Sequence, residues 1–225
     1  DADASAQALE AVFDLARGRV TSAEVMDLLA RDCVRERCGI LSSDLETLRG
    51  WVERAGIRWG VDAAHRATEG QPRLAQNTWR RGLERLLLGW AAGDAGRLGD
   101  VIPAPGAQGA PAELLGRFVE FCETLFELRE RFLEARAPAE WSGELTRALE
   151  RLVAAGGADA AEEQRRLRGA LERVAAAARA AGFEAPIPLD AFWPELQRAL
   201  GDAGSAPTHA FLSGAVTVCE LVPMR

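Results

Sequence analysis

The chain has 225 residues and a mass of 24.2 kDa; at 48% hydrophobic and 27% charged residues it can bury one good core, or a core with a smaller lobe. Its formal net charge of −7 argues against a dedicated basic nucleic-acid module, so any DNA contact must come from a local arginine cluster on an acidic body. All 27 cationic residues are Arg, which excludes a P-loop and Schiff-base lysine chemistry and disfavours nuclease sites that set a Lys beside paired carboxylates.

No apolar run approaches the ~20 residues of a membrane span, and no signal-peptide pattern opens the chain, so no membrane partner and a cytoplasmic setting are expected. Cys33 and Cys38 are not spaced as a Cys-x-x-Cys pair, Cys122 and Cys219 stand alone, and His65 and His209 are far apart. Structural zinc needs closely spaced ligand pairs, so free thiols and no metal are expected.

Taken in order, residues 3–17 carry Leu9, Val12, Phe13 and Ala16 at helical spacing, and Gly18 stops the helix. Thr21-Ser22-Ala23-Glu24 is a capping box opening a second helix that fades near Gly39. Ser43-Asp44-Leu45-Glu46 repeats that signal for a helix burying Leu45, Leu48 and Val52 and closing at Gly56. Residues 63–76 read as a polar surface loop. A helix from about Asn77 to Ala92, with the Leu86-Leu87-Leu88 run, is apolar on more than one side and reads as deeply buried.

Residues 93–111 are rich in Gly and Pro and form a long irregular connection. From Ala112 to Arg136, Leu114, Phe118, Phe121, Leu125, Leu128 and Phe132 recur at steps of four and three, the seam of a helix packing nearly parallel to its neighbours. Helices at 139–155 (Leu145, Leu149, Leu152) and 159–181 (Leu167, Leu171, Val174) follow with short breaks, giving three consecutive helices of an antiparallel bundle. Arg165, Arg166, Arg168 and Arg173 are interspersed with Glu162, Glu163 and Glu172, which reads as a solvated face. A short helix from Asp190 to Leu200 is expected with Pro194 in its first turn, then a flexible joint from Gly201 to Pro207. Residues 211–222 read as the one convincing strand. A lone strand cannot satisfy its backbone groups, so it should belong to a neighbouring sheet supplied by chain outside this sequence.

Two segments stand apart from this pattern. Trp51-Val52-Glu53-Arg54-Ala55-Gly56-Ile57-Arg58-Trp59-Gly60 and Thr78-Trp79-Arg80-Arg81-Gly82-Leu83-Glu84-Arg85-Leu86-Leu87-Leu88-Gly89-Trp90 hold four of the six tryptophans, each near an arginine or a glycine. One reading is a packing nucleus with Arg stems along indole faces. The other makes Arg58, Trp59, Arg80, Arg81 and Arg85 contacts to DNA or to a protein partner. Nothing local decides between them.

In order and spacing, this block and the terminal Ser213-Gly214-Ala215-Val216-Thr217-Val218-Cys219-Glu220-Leu221-Val222-Pro223-Met224-Arg225 resemble the gamma chain of bacterial exodeoxyribonuclease V, the RecC family. The helical stretch between is compatible but undistinctive. That family's chains are much longer, so the resemblance implies an internal piece: a mainly α, multi-helix bundle inserted in a helicase-like fold, with a short C-terminal strand belonging to a neighbouring sheet. Residues 1–210 would be the helical accessory (2B-like) domain, divisible into lobes at 1–95 and 110–205, and 211–225 the strand returning to a motor-like domain. Set against the Thr, His and Lys that active relatives carry there, Glu220, Val222 and Arg225 match only as a cation for a cation. The resemblance therefore implies a silent motor with no catalytic residue.

The implied role is a non-catalytic part of the gamma subunit of an ATP-dependent helicase and nuclease complex in double-strand-break recombinational repair, scaffolding subunits and guiding DNA. Its partners would be the sister helicase and nuclease subunits, with DNA contact weak or indirect. ATP and magnesium would be used by a partner subunit, and no cofactor by this segment. Two other classes stay open: a stand-alone helical regulatory or ligand-binding domain, and a small hydrolase on paired carboxylates such as Asp94 and Asp100.

Overall fold

The computed structural model describes residues 4–204 apart from 94–95, 106–111 and 155, with the backbone alone at 202–204. These residues form ten α-helices and one 3-10 turn, with no strand among them and three isolated β-bridges, so the chain is mainly α as expected. The expected terminal strand at 211–222 lies outside the described residues.

Helix α1 (Ala4–Arg17) buries Leu9, Val12, Phe13 and Ala16 as its spacing predicts, together with Ser5, Ala8 and Leu15. Ser5 is in its first turn, where N–H groups have no intrahelical acceptor, and its N–H donates to the buried Glu163 carboxylate at 2.6 Å. At the other end Arg17 donates to Asp190 at 2.9 Å, and Phe13 meets Trp193 with ring centroids 5.3 Å apart.

The capping box at Thr21 forms: its hydroxyl accepts the Glu24 N–H at 3.3 Å, and Glu24 accepts the Thr21 N–H at 2.8 Å. Helix α2 (Ser22–Ala30) is shorter than expected. The chain turns at Arg31 (ψ 129°) and restarts as α3 (Asp32–Arg37). The break sends Val34 into the core and leaves the Cys33 carbonyl to accept the Ala154 N–H at 2.8 Å.

The next start signal is displaced. The Asp44 carboxylate accepts the Leu41 N–H at 2.9 Å across a 3-10 turn, and α4 (Leu45–Arg54) follows, burying Leu48, Trp51 and Val52 with Leu45 only partly covered. Residues 63–76 are not wholly loop. Asp62 caps the His65 N–H at 2.8 Å and starts α5 (Ala63–Thr68), leaving 69–78 irregular.

Helix α6 (Trp79–Ala92) corrects the expectation of deep burial. It is one-sided: Trp79, Gly82, Leu83, Leu86 and Gly89 are buried, whereas Leu87 and Trp90 are each 43% exposed. Its covered face is set by two close approaches. A Cβ on Gly82 would come within 2.1 Å of Ile57, and one on Gly89 within 2.1 Å of the Ala104 carbonyl oxygen. The 96–105 connection can therefore lie flat on α6, its Ala104 N–H donating to the Arg85 carbonyl at 2.8 Å.

Helix α7 (Ala112–Phe132) buries the whole predicted seam from Leu114 to Phe132. It ends before Arg136, whose backbone instead pairs with Ile187 at 3.0 and 2.9 Å. Helices α8 (Pro138–Leu152), α9 (Ala158–Ala180) and α10 (Leu189–Gly204) complete the fold. α8 and α9 pack closely along each other, but α7 lies mainly against α1, which also contacts α8 and α9. The N-terminal helix thus takes the place that a plain three-helix bundle would have closed. Because α10 begins at Leu189 and runs on to Gly204, Pro194 falls inside it instead of in the first turn. One buried cluster runs from Ala8 to Leu196 and joins all of these elements except α5 and the 3-10 turn.

Two buried groups generate measurable expectations. Trp79 is fully buried and its indole N–H donates at 2.9 Å to the carbonyl of Val20, a β-branched residue held at φ +55°. Trp79→Phe keeps most of the ring but leaves that carbonyl short of a donor, so urea unfolding should show a loss of roughly 1–3 kcal/mol. The Glu144 side chain is 1% exposed between Arg131 and Arg147, the latter at 2.6 Å. Burial pushes its carboxyl up, but hydrogen bonds from both guanidinium groups outweigh that and hold it below its ordinary 4.5. A depressed carboxyl stabilises the fold above its unfolded value and loses that contribution as pH falls through its folded value. Glu144→Gln should therefore be less stable than the parent by about 1–2 kcal/mol at neutral pH, since both arginines stay partly in water. The difference should shrink in urea titrations carried below the carboxylate range.

Candidate functional site

Residues 57–61, between α4 and α5, are not helical, and non-helical chain among helices needs outside hydrogen-bond partners. It finds them on both sides. On one flank the Ser22 N–H donates to the Arg58 carbonyl at 2.8 Å and the Gly60 N–H to Arg19 at 2.9 Å, placing Thr21 opposite Trp59. On the other, the Arg58 N–H donates to Asn77 at 2.9 Å, while the N–H groups of Trp79 and Arg80 donate to Gly60 and Val61, both at 2.9 Å. His65 fixes the far end: its Nδ1 accepts the Val61 N–H at 3.0 Å. Burial, reinforced by nearby Arg129, lowers the His65 pKa and so disfavours the charged ring, which could not accept that bond.

The half-buried Trp59 is the centre of this segment. The guanidinium carbons of Arg66 and Arg19 lie over its ring, 4.6 and 4.9 Å from the centroid. Arg66 also donates to the Trp59 carbonyl at 3.2 Å, and its own Nε is buried without an acceptor. Gly60, at φ +82°, makes room: a Cβ there would meet the Arg66 stem at 3.1 Å. Arg58 and Arg19 are exposed. Among the described residues no carboxylate lies within ion-pair distance of Arg19, Arg58 or Arg66.

The other three candidates lie on α6 and are engaged within the fold. Arg80 pairs with Glu123 on α7 at 3.1 Å and with Asp62 at 3.8 Å, over the Phe126 ring. Arg81 holds Glu84 at 2.8 Å and donates to the carbonyl and carboxylate of Asp100 at 2.6 and 3.0 Å. Arg85 donates to the carbonyls of Ala55 at 2.6 Å and Ile102 at 2.8 Å, tying the end of α4 and the 96–105 connection to α6. The structure thus gathers Arg19 and Arg66 on Trp59, leaves Arg58 exposed beside it in the chain, and directs Arg80, Arg81 and Arg85 into contacts within the fold. Sequence reasoning missed Arg19, which the bridge between Thr21 and Trp59 brings in from a distant segment with no local signal, and Arg66, which stands on the short helix α5 read as loop.

Of the tryptophans, Trp51 and Trp79 are core, which is the packing reading, while Trp90 is half-exposed at the end of α6. Asp100 is committed to Arg81, and Asp94 lies outside the described residues. Cys33, Cys38 and Cys122 are free thiols; burial pushes Cys38 up to about 11 and Cys122 well above the ordinary thiol value. No group of His, Cys, Asp and Glu able to hold a metal ion is present among the described residues, and no helix there is long and apolar enough to cross a membrane.

Comparison with known proteins places this architecture. Residues 2–204 match the family model for the RecBCD enzyme subunit RecC fourth domain. The chain is similar to the RecBCD enzyme subunit RecC of Mycolicibacterium smegmatis, 35% identical over 214 residues, which is 94% of this chain and 19% of that protein. It is 36% identical over 220 residues to the subunit of the same name from Mycobacterium tuberculosis, covering 95% of this chain and 19% of that protein. The corresponding Escherichia coli subunit is 29% identical over 220 residues, covering 97% of this chain and 19% of that protein. The chain therefore spans about a fifth of the length of the curated relatives it matches. Carried by a family match over nearly all of its described helices, the chain belongs to the RecC family and corresponds to its fourth domain.

Proposed function

We propose that the chain works as a non-catalytic domain of a longer RecC-type subunit within an exodeoxyribonuclease V complex, in recombinational repair of double-strand breaks. The observation that carries this reading is the match of residues 2–204 to the RecC fourth domain. Residues 1–210 act as the helical accessory domain and 211–225 return to a motor-like neighbour. The domain packs against the sister helicase and nuclease subunits and borders the path of DNA in the cytoplasm. ATP and magnesium are used by a partner subunit.

Its physical contribution is shape. A single core that joins α1 to α10 makes a stiff body, and Arg85 and Arg81 bind the 96–105 connection to that body. Of the five contact candidates, Arg58 and Trp59 remain available at the surface for DNA or a partner; Arg80, Arg81 and Arg85 support them from within. A stand-alone regulatory domain is not favoured, because the family match places the chain inside a larger protein.

The test replaces residues 1–210 of the longer subunit by a short linker and co-expresses it with the sister subunits. Light scattering should show loss of the full complex, or the assembled complex should degrade linear duplex DNA at least roughly tenfold more slowly, a loss of about 1.4 kcal/mol. A linker version that assembles and degrades DNA like the parent would rule the proposal out.

A further inference from the structure

We infer that His65 is an acid-released latch: uncharged, it ties the 57–61 segment to α5, and a proton taken up by its ring lets that segment go.

The first observation is the geometry of one bond. His65 is 5% exposed, and its Nδ1 accepts the N–H of the equally buried Val61 at 3.0 Å. An imidazole can accept at Nδ1 only while its single proton is on Nε2; once charged it is a donor at both nitrogens. Proton uptake therefore sets two N–H groups against each other where one hydrogen bond had been.

The second observation is that neither partner is free to turn aside. The His65 N–H donates to the Asp62 carboxylate at 2.8 Å and its carbonyl accepts the Thr68 hydroxyl at 2.7 Å, which fixes the backbone that carries the ring. Val61 is held from the other side, its carbonyl accepting the Arg80 N–H at 2.9 Å in the first turn of α6. The second ring nitrogen, Nε2, is buried and lacks a hydrogen bond of ordinary geometry. The two facing donors can separate only if the segment and α5 come apart.

The third observation is the setting of the ring. Arg129 and Glu130 face this pocket from α7, Arg17 from the end of α1, and Asp62 and Glu69 from the two ends of α5. Burial and the Arg129 charge act against a charged ring and outweigh Glu69, the Gly18 backbone and Asp62, which favour it. The folded value thus lies below the ordinary 6.5, and a ring released into water takes a proton more readily than a latched one. The latch is therefore intact above 6.5 and weakens as pH falls from there towards the lower folded value. Other groups are poorly placed to act in that window: His209 lies outside the described residues, and burial raises Cys33, Cys38 and Cys122.

What the latch holds is the Trp59 corner. The 57–61 segment carries Trp59, and α5 carries Arg66, which lies over the indole and donates to the Trp59 carbonyl at 3.2 Å. Release separates these two and takes Arg66 off the ring.

The test uses the longer subunit and hydrogen exchange read by mass spectrometry between about pH 8 and about pH 5, each rate divided by the intrinsic rate at that pH. In the parent, protection of a peptide spanning 57–66 should fall on acidification by up to roughly tenfold per pH unit within the window, as uptake of one proton requires, and by at least roughly fivefold in all. Peptides from α7 should keep their protection. His65→Asn sets an amide oxygen near the place of Nδ1 and takes no proton, so its 57–66 peptide should lose the dependence on pH. Constant protection of that peptide in the parent overturns the inference, whether or not the variant folds. So does a fall of the same size in His65→Asn, or one shared equally by α7, because either would come from other groups.

Discussion

Backbone that is not helical has to be paid for elsewhere in an all-helical body, and residues 57–61 show how this domain does it. Residues 57–61 run without helix between α4 and α5, and most of their backbone polar groups are met by residues 19–22 on one side and 77–80 on the other. Both flanks accept unusual backbone to do so: Val20 stands at φ +55° and Asn77 at φ +61°. A left-handed valine persists only where its surroundings over-determine it. Here its side chain is buried and its carbonyl is held by the Trp79 indole and the Gly60 N–H. The core tryptophan and the exposed cationic cluster are therefore two faces of one arrangement. Trp79 fixes Val20 from inside, and the chain emerging from Val20 carries Arg19 and Thr21 to Trp59 outside.

The arginines divide by what they meet. Many are mortar, because a guanidinium can reach backbone carbonyls as well as carboxylates with several donors in a rigid fork. Arg85 closes α4 against the 96–105 connection, Arg37 holds the Glu150 carbonyl at 2.8 Å, and Arg117 donates to Gly39 at 2.6 Å. In a chain with no lysine, such clamps stand at several of the places where one element leaves another. Clustering of arginine in sequence is consequently a poor guide to a binding surface. The α6 arginines look like a patch in sequence but are engaged within the fold, whereas Arg19 and Arg66 meet on Trp59 only through tertiary structure.

Much of the fold was legible because its determinants are local. The α7 seam follows from side-chain spacing alone, and the Thr21 box from two residues three apart. The misreadings have a common origin in tertiary context. Leu86-Leu87-Leu88 suggests burial all round, yet the covered face is chosen by Gly82 and Gly89, which admit Ile57 and Ala104 and leave Leu87 outside. α5 was hidden because a short polar helix has almost no apolar period, although Asp62 marks its start. The three-helix bundle was incomplete because no periodicity tells which partner α7 will take. Of the candidate site, Trp59 and Arg58 could be picked out by residue type, but Arg19 arrives through a bridge between distant segments and Arg66 on a short helix that the sequence did not reveal.

The position of α1 has a mechanical side. Its residues bond to Glu163, Asp190 and Gln197, so the first and last described helices run beside each other and the two ends of the body meet along one edge. A body attached to a longer polypeptide through such an edge is held by a single stem. A displacement of that stem would be passed on to the helices that share the one core. The Trp59 cluster, built where the α1–α2 link meets the α4–α5 link, would travel with that body and not with the stem alone.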